Sequence, residues 1–311
     1  MLAGAASGAC TALARPAVAA GLAAIFGGRA RRPGPPPGSD PGAPGDPGWF
    51  GPDSVAWKVQ ADASMFVAGI AAFALQLLHP LALAGVADHS SFAEDFLGRV
   101  ERTGAFVQGV CFGSVGEAER RCERVRLVHH RVGGTAPDGR RYDAASPELL
   151  EWVHLGEYAG IAAAYRRFGA LPLSDVELDR YVAEVAVVGR AVGVPRPPTT
   201  WSELDAGIQR FRPQLAVNEQ TLAALRFLAE PHGLSWRLRP AWRVLWAGGL
   251  ACLPPAARRL IPVAAPRPAD VVACRAVVRA LDTLLGEPPP LSAAKARLAA
   301  GRPSGPVGRP A

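Results

Sequence analysis

Aromatic residues make up only 7% of this 311-residue chain, and they are not interleaved with its basic residues. That excludes the stacking platform on a basic groove by which single-stranded nucleic acids are held, so no nucleic-acid partner is expected. The formal charge of +7 comes from scattered arginines and reads as solvated helix faces. Cysteine is equally scarce. Cys10, Cys111, Cys122, Cys252 and Cys274 are odd in number and contain no CxxC pair or knuckle spacing, which excludes a fully paired disulfide framework and a structural zinc site. They are expected to be buried thiols in a reducing, cytoplasmic setting. A Gly-rich phosphate loop, a serine nucleophile elbow and a His-Glu-x-x-His pair are all missing, which removes the nucleotide-dependent, serine-hydrolase and zincin readings. No alternating strand pattern extends over more than a few residues, and no repeat recurs at solenoid spacing.

What remains is helical. With 49% hydrophobic and 20% charged residues the chain should fold, and its length permits a core large enough to enclose a cofactor. The expected fold is all-α, a single multi-helix globular domain around a pocket. Residues 1–31 form an apolar N-terminal segment, in which the run from Leu2 to Phe26 is interrupted by Arg15 and preceded by no positive cluster. A loosely docked helix is expected there, rather than a secretory signal. The proline- and glycine-rich stretch 32–48 reads as a linker, residues 49–290 as the helical domain, and 291–311 as a disordered basic tail. A second apolar run, Met65 to Ala87, is long enough to span a bilayer of about 30 Å if helical throughout. His79 and Pro80 break it, and a buried core helix is favoured over a membrane span.

Helix ends are marked by caps. Ser174 to Glu177 and Thr200 to Glu203 have capping-box spacing, and the first opens a helix expected to run to Gly193. Pro147 after Ser146 suits the first turn of a helix carrying Glu151, Trp152 and His154. Another helix, roughly Gly116 to Val132, is expected to close on Gly133 and Gly134 in the left-handed conformation.

On that last helix Ala118, Cys122, Val125 and Val132 recur at three- and four-residue steps, and His129 falls in the same series. His129 should therefore point inward, and His130, about 100° around the helix, outward. A buried imidazole is satisfied by a backbone carbonyl or by a metal such as heme iron, and periodicity by itself favours the carbonyl. The preceding helix, roughly Phe92 to Phe112, places Arg99 and Thr103 on one face with Arg102 beside them. A cation and a hydroxyl so arranged suit oxyanion stabilisation, although a solvated surface has the same composition. Glu151 and His154 have the Glu-x-x-His spacing of carboxylate-bridged di-iron bundles, but no second such pair occurs.

The stretch WFGPDSVAWKVQADASMFVAGIAAFALQLLHPLALAGVADHSSF resembles the opening of the family that contains the latex-clearing rubber oxygenases and the MpaB oxygenase of mycophenolic acid biosynthesis. The resemblance continues through GRVERTGAFV, ERVRLVHHRVGGTAPDGRRYDAASPELLEWVH and LPLSDVELDRYVAEVAVVGRAVGVP, covering most of Trp49 to Pro195. It implies a heme b cofactor with His129 as proximal iron ligand, Arg99 and Thr103 on the distal side, and Arg102 where the rubber oxygenases have lysine. Gln60 stands where related sequences often carry histidine, and no acidic residue supplies the glutamate base proposed for rubber cleavage.

The expectation is thus a heme-dependent oxygenase that brings dioxygen or peroxide to a hydrophobic, isoprenoid-like small molecule other than rubber, the electron donor being left open. His79 and His154 would serve as cofactor-pocket residues. Two rivals are a helical protein that binds lipid or contacts a membrane peripherally without catalysis, and a non-heme di-iron oxidase using Glu151 and His154.

Overall fold

Proline places many of the helix starts. A residue without an amide donor loses nothing in the first turn, and prolines occupy that turn in six of the α-helices given below. The computed structural model describes residues 41–89, 96–232 and 234–301. Cys10, the apolar N-terminal run, most of the linker and residues 302–311 lie outside them. Within the described residues the chain folds as thirteen α-helices, all-α apart from one small hairpin. They are α1 (Val55–Gln60), α2 (Met65–Gln76), α3 (Pro80–His89), α4 (Phe96–Phe112), α5 (Val115–His129), α6 (Pro147–Phe168) and α7 (Asp175–Val192). Then follow α8 (Trp201–Phe211), α9 (Glu219–Ala229), α10 (Arg239–Ala251), α11 (Pro255–Leu260), α12 (Pro268–Leu285) and α13 (Pro289–Ala300). The hairpin pairs β1 (Gly133–Thr135) with β2 (Arg141–Asp143), antiparallel, with Gly134 opposite Tyr142.

The apolar run 65–87 becomes two helices bent 109° apart, broken where Pro80 cannot continue the ladder. No single described helix is long and apolar enough to cross a membrane; this bent pair passes by length and composition alone. Much of α2 is buried, with Val67, Ala68, Ala71, Ala74 and Leu75 sealed against α6 and α10. The approach to α6 is close because both faces are small. A Cβ added at Gly160 would lie 2.6 Å from the backbone nitrogen of Ala72. Polar groups lock the same contact: Trp152 Nε1 donates to the Gln76 carbonyl at 3.2 Å, and Gln76 Nε2 donates to the Val153 carbonyl at 3.3 Å.

Several expected caps form. Ser146 accepts from the Leu149 amide at the start of α6, and Ser174 and Glu177 make a reciprocal capping box on α7, which ends on Gly193 at φ 106°. The Thr200 box is shifted by one residue: Thr200 accepts from the Glu203 amide, but Glu203 accepts from the amide and hydroxyl of Thr199.

Two expectations are corrected. Gly133 and Gly134 do not close α5, which ends at His129; they pair in β1, where Gly134 leaves room for the Tyr142 ring. The short hairpin itself has too few residues for an alternating pattern to be seen. Residues 291–300 of the expected tail belong to α13, which starts at Pro289 and buries Leu291 and Ala294. Arg297 pins that helix by donating to the carbonyls of Asp46, Phe112 and Gly113, satisfying groups orphaned at the C-terminal end of α4.

The contact between α2 and α6 is directly testable. Gly160→Ala should cost about 1–3 kcal/mol through overpacking against a backbone that cannot move aside. Gly69→Ala, in the same pair of helices but with nothing within 4 Å of the added carbon, should stabilise by about 0.5–1 kcal/mol. Chemical denaturation of both variants, with equal midpoints as the contrary result, decides it.

Candidate active site

Where α3 bends away from α2, it leaves a gap that α5, the hairpin and the first two turns of α6 close on the other sides. The result is a cleft of about 290 Å³, near the lower end of ligand-site volumes of roughly 300–1,000 Å³. Its walls are mostly apolar: Phe73 from α2 and Leu77 just past its end, Leu81 and Val86 from α3, Val128 from α5, and Leu149, Leu150 and Val153 from α6. Only a few polar side chains face it, among them Gln76, His89, Arg99, His129 and Tyr142.

His129 is the last residue of α5. Ala118 and Cys122 on its stripe are buried in the core, Val125 is half-buried, and by His129 the stripe has left the core and turned into the cleft. Its Nδ1 is buried and has no hydrogen-bond partner. Burial, with the neighbouring His130 as a lesser cause, lowers its pKa below the ordinary value, so the ring is neutral near pH 7. A neutral imidazole with an unspent nitrogen in an apolar cleft is chemically a ligand. His130 is exposed.

Arg99 reaches the same cleft from α4, half-buried and stacked over Phe73 with its guanidinium carbon 5.1 Å from the ring centre. Burial, then repulsion from Arg102, brings its pKa down to about 10, which leaves it a cation at neutral pH. Arg102 and Thr103 are exposed and are not part of the cleft wall.

The two other histidines expected as cofactor-pocket residues, His79 and His154, do not line the cleft. His79, buried at the bend, accepts from the Ala82 amide through Nδ1 at 3.4 Å, which leaves the proton on Nε2 to donate to Gln214 Oε1 at 2.8 Å. Gln214 in turn donates to Glu148 at 2.8 Å. His79 thus caps α3 beside Trp152 and Phe211 while Leu81, Ala82 and Leu83 go on to line the cleft. His154 packs on the far side of α6, its ring 4.8 Å from that of Tyr158 and so close to α7 that a Cβ on Gly189 would meet it at 2.7 Å. Its Nε2 is buried without a partner, and burial, followed by the charge of Arg190, brings its pKa down to about 4.

Glu151 and His154 are not brought together as a metal pair. Glu151 forms a 2.5 Å ion pair with Arg210 in a separate surface groove of about 530 Å³ that also holds Glu148 and Gln214. Among the described residues no three His, Cys, Asp or Glu side chains gather as a metal ion would require. Gln60 is buried and donates to the Tyr181 hydroxyl at 3.3 Å, with its own Oε1 unpartnered.

One acidic group escaped the sequence reading. Glu157 lies one turn beyond Val153 on α6, and burial pushes its carboxyl up to about 7. Its signal was its place on an otherwise apolar helix face, four residues from a position that faces α2.

The domain model that matches residues 57–283 is described as "ER-bound oxygenase mpaB/B'/Rubber oxygenase, catalytic domain". This defines an oxygenase, and the chain belongs to the family of mpaB and rubber oxygenases. No curated protein and no solved structure matches it.

The two buried groups of α6 make opposite pH predictions. His154 has a folded pKa lowered from 6.5, so the unfolded chain binds the extra proton and stability falls as pH drops from about 6.5 to 4. Glu157 has a folded pKa raised from 4.5, so stability falls as pH rises from about 4.5 to 7. Relative to the native chain, His154→Asn should therefore gain stability towards pH 4 and Glu157→Gln towards pH 8. Each gain should be on the order of 2–3 kcal/mol. Denaturation midpoints that run parallel to the native curve across this range would contradict it.

Proposed function

We propose that the chain is a heme b-dependent oxygenase that brings dioxygen or peroxide to a hydrophobic, isoprenoid-like small molecule, with His129 holding the iron. The observation that carries this reading is the His129 ring, neutral, with a buried nitrogen lacking any protein partner, at the wall of a mostly apolar cleft in a chain of oxygenase family. The residues fit the group: the His129 imidazole would hold the iron, the apolar walls would suit a macrocycle, and the described residues provide no alternative cage for a bare ion. When bound, heme supplies the oxygen activation that no side chain performs unaided.

The chain's own residues do the rest. Burial disfavours the charged form of His129, so its nitrogen is less readily lost to a proton. Arg99, held over Phe73, keeps a positive charge in an apolar cleft, where it attracts developing negative charge more strongly than it would in water. Leu81, Val86 and Val153 exclude water and accept an apolar substrate. Glu157, with its carboxyl at about 7, can hold or release a proton at neutral pH one turn from that wall. Arg102 and Thr103 are exposed on α4 and lie outside the cleft wall.

The visible spectrum of protein expressed with ample iron and heme precursor tests the reading. A Soret band is expected that disappears in His129→Ala and persists in His130→Ala. Colourless protein under those conditions, or a band indifferent to His129, sinks it.

A further inference from the structure

The outward side of α5 sorts its charges. Arg120, Arg124 and Leu127 follow one another at four and three residues, and Arg131 lies four further on in the turn beyond the helix, so all four line one stripe. All are exposed, and Val128, beside the stripe, is both exposed and part of the cleft wall. Leu127 and Val128, two adjacent aliphatic residues beside the cleft, expose 55% and 51% of their surface. Glu119 and Glu123 lie on the flank shared with Arg126 and His130, Glu123 bordering the stripe one turn before Leu127. Glu117, at the start of α5, is already held by Arg120 and Arg121. Among the described residues Arg124 and Arg131 make no ion pair, so their charge is uncompensated.

Arginines around two exposed aliphatic side chains match the headgroup layer of an anionic bilayer, with phosphates for the guanidiniums and the acyl boundary for the leucine and valine. A second copy of the same stripe would be repelled, and a soluble acidic protein gives no use for Leu127. We propose that this stripe docks the protein on anionic lipid, so that the mouth of the cleft opens against the bilayer from which a water-insoluble substrate is drawn. The purpose rests on the reading of the cleft as a hydrophobic-substrate site; the docking itself does not.

Flotation of the full chain with phosphatidylcholine vesicles, with and without about one-third phosphatidylserine, tests the proposal. Binding is expected to the anionic vesicles only and to weaken with added salt. Each arginine near the surface is worth roughly fivefold, so Arg124→Glu/Arg131→Glu should lose at least tenfold. The control Arg126→Glu/Arg243→Glu, with the same change of net charge away from the stripe, should stay within about twofold. An environment-sensitive dye on Leu127→Cys should shift to the blue on anionic vesicles, and the same dye on Val176→Cys, exposed on α7, should not. Equal binding to both vesicle types, equal loss in both charge variants, or equal shifts of both dyes would overturn the proposal. So would vesicle-independent self-association abolished by the stripe variant, which would make the surface an interface between copies. None of these readouts needs heme or turnover, so they stand or fall apart from the assignment of His129.

Discussion

The approach of α2 to α6 at Gly160 and Ala72 is the constraint on which the rest depends. Two helices can lie this close only where one of them offers no side chain, and the contact is then fixed by backbone rather than by adaptable rotamers. Because α2 is held there, the break at Pro80 sends α3 off at a set angle, and the wedge between them becomes a cleft rather than collapsing. Trp152 and Gln76, each spending its polar group on the other helix's backbone, keep the corner closed at the end where the cleft begins.

This arrangement divides three buried or half-buried histidines among different tasks. His79 has both ring nitrogens engaged, by the Ala82 amide and by Gln214, and so stabilises the bend as a cap. His154 is wedged against α7 by the missing side chain of Gly189, where burial strongly disfavours protonation, and it is not in the wall of the cleft. Only His129 combines an unspent buried nitrogen with a place on an open, apolar wall. The distinction is one of geometry, since all three have pKa values lowered by burial.

Much of the fold was legible in the sequence because helix signals are local. Caps at Ser146 and Ser174, the left-handed Gly193 and the break at Pro80 depend on residues within a turn of one another, and they formed as their spacing predicts. The errors arose where long-range contacts decide. Gly133 and Gly134 have the composition of a helix stop, but the Tyr142 ring recruits them into a hairpin. The small, basic residues after Ser292 lack a strong pattern, yet Arg297 finds three carbonyls far away in sequence and orders the helix. At the site, periodicity found the inward direction of His129 but not that its stripe leaves the core for a cleft. It placed Arg99 and Thr103 on one face, whereas only Arg99 reaches the wall, because a long side chain can turn over Phe73 and a threonine cannot. Resemblance supplied the oxygenase family, which the domain match bears out; spacing alone would not have chosen it.

The central claim is that His129 ligates heme iron in this cleft. Its most direct test is the electron paramagnetic resonance spectrum and heme content of ferric His129→Gly, purified with and without added imidazole. The account predicts that heme is lost in the variant and returns, with a nitrogen-ligated ferric signal, when imidazole occupies the vacated volume. Heme content and a ferric signal identical to those of the native chain, without imidazole, would contradict it.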